Sequence, residues 1–213
     1  IGADEYAEGV DDNAFTNGAA KKALEYATKA AAIVGKKAPT IWKEIADKLV
    51  LNTMENGVTE EYHGYKGQMI KQADANLLAY PLGIIQDPKQ ILKDLEYYTS
   101  KVDQKNGPAM TFSIFAVQYA RLGNGDKAYT YFKHAYQPNQ RPPFGVLAET
   151  ATSDNPYFMT GAGGLLQAII NGFGGLDISE NGIVQHKSSL PKHWKKLTIK
   201  GVGAEKKTYT VKQ

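Results

Sequence analysis

Asp4-Glu-Tyr-Ala-Glu-Gly-Val-Asp-Asp-Asn-Ala-Phe-Thr-Asn17 is the stretch on which the interpretation of this chain depends. It holds five carboxylic acids beside Tyr and Asn, directly before a helical pattern. Acidic residues are favourable at the positive end of a helix dipole, so the plain interpretation is a capping region with Asp12 or Thr16 as the N-cap. A calcium loop is the weaker alternative, because the acids lack the spacing and the glycine of such a loop.

The residues that follow this stretch have a helical periodicity. Apolar side chains recur along one stripe from Ala20 to Val34, Gly35 ends this pattern, and Pro39 opens a second helix. Periodicity and capping residues predict five more helices, over about residues 71–80, 87–102, 112–123, 126–136 and 162–173. The sequence therefore predicts seven helices in all.

The pattern changes after Gly174-Gly175. Short apolar segments separated by turn residues then predict β-strands. We therefore expect helices over residues 1–174 and a small β-sheet domain over 175–213. The long loops at 52–70 and 137–160 interrupt the helices, and loops longer than about 12–15 residues are usually functional.

The composition excludes several classes of protein. The chain has 213 residues, of which 42% are hydrophobic and 22% charged, which is typical of a globular protein. With 25 Lys+Arg and 22 Asp+Glu the net charge is +3, and no basic face indicates nucleic acid. No apolar run reaches the roughly 18–20 residues of a membrane span, and no cysteine is present for a disulfide or a thiolate zinc site. These features leave the location open, with the periplasm or secretion favoured over the cytoplasm.

Two clusters carry residues suited to carbohydrate chemistry. Lys71-Gln-Ala-Asp74 could hydrogen-bond a polyol, or could be a solvated first helical turn. Glu149 lies between apolar and Ser/Thr-rich residues, where it is a candidate general base or a plain surface acid. The histidines show no metal-ligand spacing, and neither a Gly-x-Ser-x-Gly elbow nor a Walker loop occurs. Two separate Glu-bearing loops favour a sugar site that works with two carboxyl groups.

Three blocks of this sequence resemble glycoside hydrolase family 65. Residues 4–17 are similar to the family signature Asp-Glu-Tyr-x-Glu-x-Val-x-Asn-Asn-Ala-Tyr-Thr-Asn. Lys71-Gln-Ala-Asp74, continuing to Tyr80-Pro-Leu82, is similar to a second family segment. Gly172-Phe-Gly-Gly-Leu176 and Leu190-Pro-x-x-Trp194 resemble its C-terminal pattern. The blocks occur in the order of the family and span almost the whole chain.

The resemblance implies a fold and a class of activity. The family comprises α-glucoside phosphorylases and hydrolases that act on trehalose, kojibiose, maltose or nigerose. Its catalytic domain is an (α/α)6 barrel of twelve helices, followed by a small β-domain. Helices followed by strands imply the C-terminal part of such a barrel, in a mainly α chain. We therefore expect a sugar substrate and the missing N-terminal part of the same protein as partners, with homo-oligomer formation left open and no nucleic acid or membrane.

The resemblance also implies roles for individual residues. Glu8 matches the general acid of the family, which protonates the glycosidic oxygen. Lys71 and Gln72 match residues that hold the glucose, and Asp4 and Glu5 would shape the surroundings of the acid. Neither a metal nor a cofactor is implied.

The choice between hydrolysis and phosphorolysis depends on Gly107-Pro-Ala-Met-Thr-Phe-Ser113. Family phosphorylases carry a Ser-rich stretch before the corresponding helix, whereas Pro108 and Ala109 remove two phosphate donors here. A carboxylate in the Glu149 loop would repel phosphate and could deprotonate water. The resemblance therefore implies inverting hydrolysis with Glu8 as acid and Glu149 as base, about 6.5–9.5 Å apart. Asp154 is the second candidate for the base.

Two alternatives to a hydrolase are kept. The first is an α-glucoside phosphorylase with an unusual anion site, which phosphate dependence of disaccharide cleavage would reveal. The second is a catalytically incomplete carbohydrate-binding fragment, in which Trp42, Tyr62 and Tyr65 could stack on sugar. Sugar binding without turnover would favour the second.

Overall fold

The computed structural model describes residues 2–155 and 157–213. Within them the chain forms six α-helices and three antiparallel two-stranded hairpins. The helices are α1 (Ala14–Ile33), α2 (Thr40–Lys48), α3 (Pro88–Tyr98), α4 (Ala109–Arg121), α5 (Gly125–His134) and α6 (Met159–Gln167), which continues as a π-helical turn over Ala168–Phe173. The hairpins pair β1 (Gln140–Arg141) with β2 (Val146–Leu147), β3 (Leu176–Ser179) with β4 (Gly182–Gln185) and β5 (Lys196–Val202) with β6 (Lys207–Lys212).

The chain divides into two compact units, residues 1–101 and 102–213. The first unit contains α1 to α3, and the second contains α4 to α6 with the three hairpins. The expected order of helices followed by β-structure is observed, although the β1–β2 hairpin lies within the long loop predicted over 137–160. The boundary predicted between residues 174 and 175 stays a prediction.

Helix α1 is capped differently from the sequence prediction. It begins at Ala14 rather than near Ala20, and its N-cap is Asn13, whose side chain accepts a hydrogen bond of 2.9 Å from the Thr16 backbone N–H. The prediction of Asp12 or Thr16 as cap is therefore wrong. At the other end Gly35, with φ of +68°, ends the helix as predicted: its N–H donates to the Ala32 carbonyl and the next N–H to the Ala31 carbonyl.

The helix predicted over residues 71–80 does not form. Only a single 3-10 turn is found there, at Ala75–Leu78, so the described residues contain six α-helices rather than seven. The backbone of Asp74 is not helical, with φ of −123° and ψ of −78°. The N–H groups of Lys71 and Gln72 donate to the distant Asp4 carboxylate. Tertiary hydrogen bonds therefore decide the local structure, against the periodicity of the segment.

Helix α4 is the core of the second unit, because it is buried around almost its whole circumference. Small residues let the α6 segment approach it closely. A Cβ added at Gly172 would lie 3.0 Å from the Cα of Val117 on α4, and one at Gly164 would lie 2.9 Å from the Ser113 hydroxyl. The glycines of this segment therefore set the distance between the two helices.

Trp194 packs against aromatic side chains of the second unit. Its ring lies 5.1 Å from that of Phe173 and 5.5 Å from that of Tyr129 on α5, measured between centroids. Phe173 is fully buried. The C-terminal blocks Gly172–Leu176 and Leu190–Trp194 thus meet in one aromatic cluster, which gives them a packing role.

Candidate active site

Asp4 ties the two N-terminal sequence blocks together. Its side chain is 1% exposed, and its Oδ1 accepts three backbone N–H bonds, from Tyr6 at 3.2 Å, Lys71 at 2.8 Å and Gln72 at 3.1 Å. A buried carboxylate is stable when backbone donors replace its water. Asp4 therefore fixes the start of the 4–17 loop to the 71–74 segment.

Asp74 completes this connection from the other side. Its Oδ2 accepts from the backbone N–H of Ala3 at 3.0 Å and of Asp4 at 3.3 Å, and from the Asn13 side chain at 2.9 Å. Its Oδ1 accepts from the N–H of Phe15 at 3.1 Å. Burial raises the pKa of Asp74, and these hydrogen bonds oppose that rise. The acidic signature and the Lys71–Asp74 segment are therefore one hydrogen-bonded structure.

Glu61 is a third buried carboxyl group at this point, and the sequence reasoning missed it. It is 0% exposed, and its backbone carbonyl accepts from the Ala14 N–H at 2.8 Å and from Asn13 Nδ2 at 3.3 Å. Burial raises its pKa to about 9, with the negative charges of Asp74 and Asp4 as the next causes. The length of the loop 52–70 predicts a functional segment, but no periodicity within it indicates which acid is buried.

Glu8 and Glu5 lie on the exposed side of the same loop. Both side chains are exposed, in contrast to Asp4. Lys71 Nζ lies 2.5 Å from Glu5 Oε2, and the Lys71 side chain is 16% exposed. Gln72 is buried, and its Oε1 accepts from the Glu5 N–H at 2.9 Å. The structure thus brings together Asp4, Glu5, Lys71 and Gln72, with Glu8 on the connecting loop.

Glu149 belongs to the second unit, where its backbone is held on two sides. Its carbonyl accepts 2.9 Å from Asn139 Nδ2 and 3.3 Å from the N–H of Ala109 at the start of α4. Asn139 also donates to the Ala148 carbonyl at 3.2 Å and is 2% exposed. The Glu149 side chain is half-buried. The position of Glu149 is therefore determined by α4 and by a buried amide.

Arg141 fixes the backbone of the Glu149 loop, whereas the side chain of Asp154 is exposed to solvent. The guanidinium donates to the carbonyls of Pro138, Gln140, Thr150, Ala151 and Ser153. Asp154 forms an ion pair with the Arg141 Nε at 3.5 Å, but its side chain is 100% exposed. A fully solvated acid is a weaker candidate for a general base than the half-buried Glu149.

The start of α4 offers few side-chain donors to an anion. Pro108 is the N-cap and makes no side-chain capping bond, and Ala109 is fully buried. The hydroxyl of Ser113 is buried and donates to the Ala109 carbonyl at 3.3 Å. The Ala109 N–H is taken up by the Glu149 carbonyl.

The aromatic residues considered for sugar stacking have different surroundings. Tyr65 is 4% exposed, its hydroxyl donates to the Gln68 carbonyl at 2.6 Å, and its ring is 5.2 Å from that of Tyr62 in an edge arrangement. Tyr65 is therefore a core residue, and its part in the stacking alternative is wrong. Tyr62 and Trp42 are half-buried.

Over residues 2–155 and 157–213 there is no group of three or more His, Cys, Asp or Glu with an arrangement that could hold a metal ion. None of the helices in those ranges combines the length and the apolar character that crossing a membrane requires.

The signature loop and the order of the three blocks indicate a class of carbohydrate-active protein. The glycosyl hydrolase family 65 central catalytic domain matches residues 1–68, the segment that contains Glu8 and Glu61. The chain belongs to glycosyl hydrolase family 65.

Several named proteins are similar in sequence to this chain. The chain is 57% identical over 212 residues to a kojibiose hydrolase of Mucilaginibacter mallensis, covering 100% of this chain and 31% of that protein. It is 57% identical over 212 residues to a kojibiose hydrolase of Flavobacterium johnsoniae, covering 99% and 31%. A protein-glucosylgalactosylhydroxylysine glucosidase of Danio rerio is 36% identical over 202 residues, covering 93% and 30%. The chain thus spans under a third of the length of these relatives.

A solved structure from the human microbiome, assigned as a kojibiose phosphorylase, has the same fold. The TM-score is 0.71 at 20% sequence identity, over 94% of this chain and 32% of that one. At this identity the likeness concerns the fold alone.

Proposed function

We propose that this chain is part of an inverting α-glucoside hydrolase, with kojibiose as the first candidate for its substrate. Two relatives at 57% identity are named kojibiose hydrolases, which supports this class of substrate. A trehalose-like disaccharide is the next candidate, because an acid trehalase of Emericella nidulans is 34% identical over 202 residues. We also propose that the helices described here form part of an (α/α)6 barrel, with residues 175–213 as a small β-domain.

Glu8 acts as the general acid in this proposal. A general acid must reach the glycosidic oxygen, so its side chain has to project from a rigid support. Glu8 is exposed, whereas Asp4 in the same loop is buried and held by three backbone N–H groups. The loop is therefore anchored by Asp4, while the Glu8 carboxyl group projects from it.

Lys71, Gln72 and Glu5 form the sugar-binding part of the site. Lys71 and Glu5 pair at 2.5 Å, and Gln72 holds the Glu5 backbone. Charged and amide groups fixed in this way suit the several hydroxyl groups of a glucose ring, because their orientation costs no further entropy on binding.

Glu149 acts as the general base, and one observation favours it over a phosphate site. The backbone N–H of Ala109, at the start of α4, donates to the Glu149 carbonyl. The turn that carries the Ser-rich stretch in phosphorylases is thus bonded to a carboxylate-bearing loop here. A phosphate dianion would meet Pro108, Ala109 and a nearby acid, an arrangement that strongly disfavours it.

The reaction follows the inverting scheme of two carboxyl groups. Glu149 removes a proton from water, the water oxygen attacks the anomeric carbon, and the bond to the leaving group breaks as Glu8 protonates its oxygen. The attack comes from the face opposite the leaving group, so an α-glucoside gives β-glucose.

Our first prediction concerns the products. The protein that carries this chain is incubated with kojibiose or trehalose, with and without phosphate, and the anomer of released glucose is followed by NMR. We expect phosphate-independent release of β-glucose, and a loss of at least about 100-fold in kcat for Glu8→Gln and for Glu149→Gln. Glu96→Gln, an exposed acid on α3, is the control and should keep full activity.

The two alternatives correspond to other results of the same experiment. Glucose 1-phosphate that appears only with phosphate would identify an α-glucoside phosphorylase and leave Glu149 without a catalytic role. Sugar binding without cleavage would indicate the carbohydrate-binding alternative. A periplasmic or secreted location is proposed with the hydrolase, since a Saccharomyces cerevisiae relative is named a periplasmic acid trehalase.

A further inference from the structure

Glu61 is a buried acid to which no role has been given. Its side chain is 0% exposed, and neither of its oxygens accepts a hydrogen bond from a donor in the described residues. Its main chain is fixed, because its carbonyl accepts from Ala14 and Asn13 and Thr59 nearby is held by Asp94 on α3. The Glu61 side chain is therefore held away from solvent.

The groups around Glu61 are acidic or neutral. Asp4 and Asp74 accept all of their described bonds from N–H donors, so both act as acceptors. Four tyrosines lie close enough for a negative charge on Glu61 to raise their pKa values: Tyr62, Tyr65, Tyr97 and Tyr98. None of these groups is a cation. A third ionised carboxylate at this point would have neither a donor nor a counter-charge.

We propose that Glu61 is held as a neutral carboxylic acid that donates a hydrogen bond to the Asp4 carboxylate, and that it thereby positions the loop carrying Glu8. Asp4 is the group on which the N–H bonds of Tyr6, Lys71 and Gln72 converge. One donor to Asp4 therefore stabilises both sequence blocks of the site. Glu61 is a positioning residue, because it acts through Asp4 and not on the sugar.

The sign of the pH dependence follows from the burial of Glu61. Burial raises its pKa from an ordinary value of 4.5 to about 9 in the folded chain. The folded state holds the proton throughout this window and the unfolded state does not, so stability falls as pH rises from 4.5 towards 9. Above the folded pKa the proton is lost, and Glu61 becomes a third negative charge beside Asp4 and Asp74.

The first test is spectroscopic and does not depend on the proposed activity. Infrared spectra of the protein that carries this chain are recorded at about pH 7, where ordinary carboxyl groups are ionised. We expect a C=O stretching band of a protonated carboxylic acid that is lost near pH 9 and absent in Glu61→Gln. Glu55→Gln, an exposed acid of the same loop, should keep the band. A spectrum without the band, or a band that persists in Glu61→Gln, would overturn the proposal.

The second test measures positioning and rests on the proposed hydrolase. Glu61→Gln keeps a donor of similar shape, whereas Glu61→Ala removes it, so we expect kcat at about pH 7 to fall roughly 10–100-fold in Glu61→Ala and to be largely rescued in Glu61→Gln. The alkaline decline of activity in the unsubstituted protein should flatten in Glu61→Gln. An unchanged alkaline limb in Glu61→Gln would refute the positioning role. A protein without hydrolase activity would refute the proposed function and leave the infrared result standing.

Discussion

At the scale of single residues, four carboxyl groups have different tasks. Asp4 and Asp74 accept backbone hydrogen bonds in the interior, Glu61 is buried without a donor, and Glu8 is exposed. Composition cannot separate these tasks, because the acids differ only in which N–H groups the folded chain brings to them. The assignment of roles therefore depends on partners that lie up to 71 residues away.

Asp74→Asn tests the structural task. Both oxygens of Asp74 accept from N–H donors, and an amide would turn one acceptor into a donor that faces another donor. We expect a loss of about 3 kcal/mol in the free energy of unfolding, measured by urea titration.

Asp87→Asn is the matched control for this substitution. Asp87 caps α3 by accepting from the Lys89 N–H at 3.1 Å, and asparagine is an equally good N-cap. Its expected effect is under about 0.5 kcal/mol. Equal losses in the two variants would contradict the special position of Asp74.

At the scale of elements, the α6 segment and α4 show how closely two helices depend on glycine. Gly161, Gly164 and Gly172 all face α4, where an added Cβ would lie 2.9 to 3.0 Å from its nearest atom. By contrast, Gly163 faces open space. The close approach of the two helices therefore depends on these three glycines.

Gly172→Ala and Gly163→Ala form a matched pair that measures this contact. At Gly172 the new methyl group meets the Val117 backbone, so we expect a loss of about 1–3 kcal/mol in stability. At Gly163 the same change should stabilise the helix by up to about 1 kcal/mol, since alanine has the higher helix propensity. Thermal unfolding of both variants gives the comparison, and effects of the same sign would contradict the packing explanation.

The elements also show where periodicity was insufficient. The caps at Asp87 and Gly35 were predictable because they depend on neighbours within a few residues. The absence of a helix over 71–80 was not predictable, because the backbone N–H of Lys71 donates to the distant Asp4 carboxylate. Nor was the cap of α1, because Asn13 both accepts from Thr16 and donates to the distant Asp74.

At the scale of the whole molecule, a large amount of apolar side chain is exposed. The most exposed examples are Phe144 at 87%, Ile33 at 85%, Ile178 at 82% and Met159 at 77%. Contiguous or numerous exposed apolar groups of this kind favour association.

The 213-residue chain expressed alone is therefore expected to associate. Light scattering after gel filtration should show a mass that rises with protein concentration, and Ile33→Glu should reduce the rise by adding charge to an exposed apolar site. Thr28→Glu, on an exposed polar position of α1, adds the same charge and should change little. A monodisperse monomer at all concentrations would contradict this prediction.

The sequence by itself determined the family, the order of helices before strands, and the candidate residues Glu8, Lys71, Gln72 and Glu149. These depend on local order: periodicity, capping residues and blocks of fixed spacing. Only the tertiary structure decided that Asp4 and Asp74 are buried acceptors, that Glu61 is buried without a donor, and that the Glu149 backbone is bonded to the start of α4. Burial and hydrogen bonding between distant segments are properties of the folded chain, so local sequence does not encode them in any pattern of neighbours.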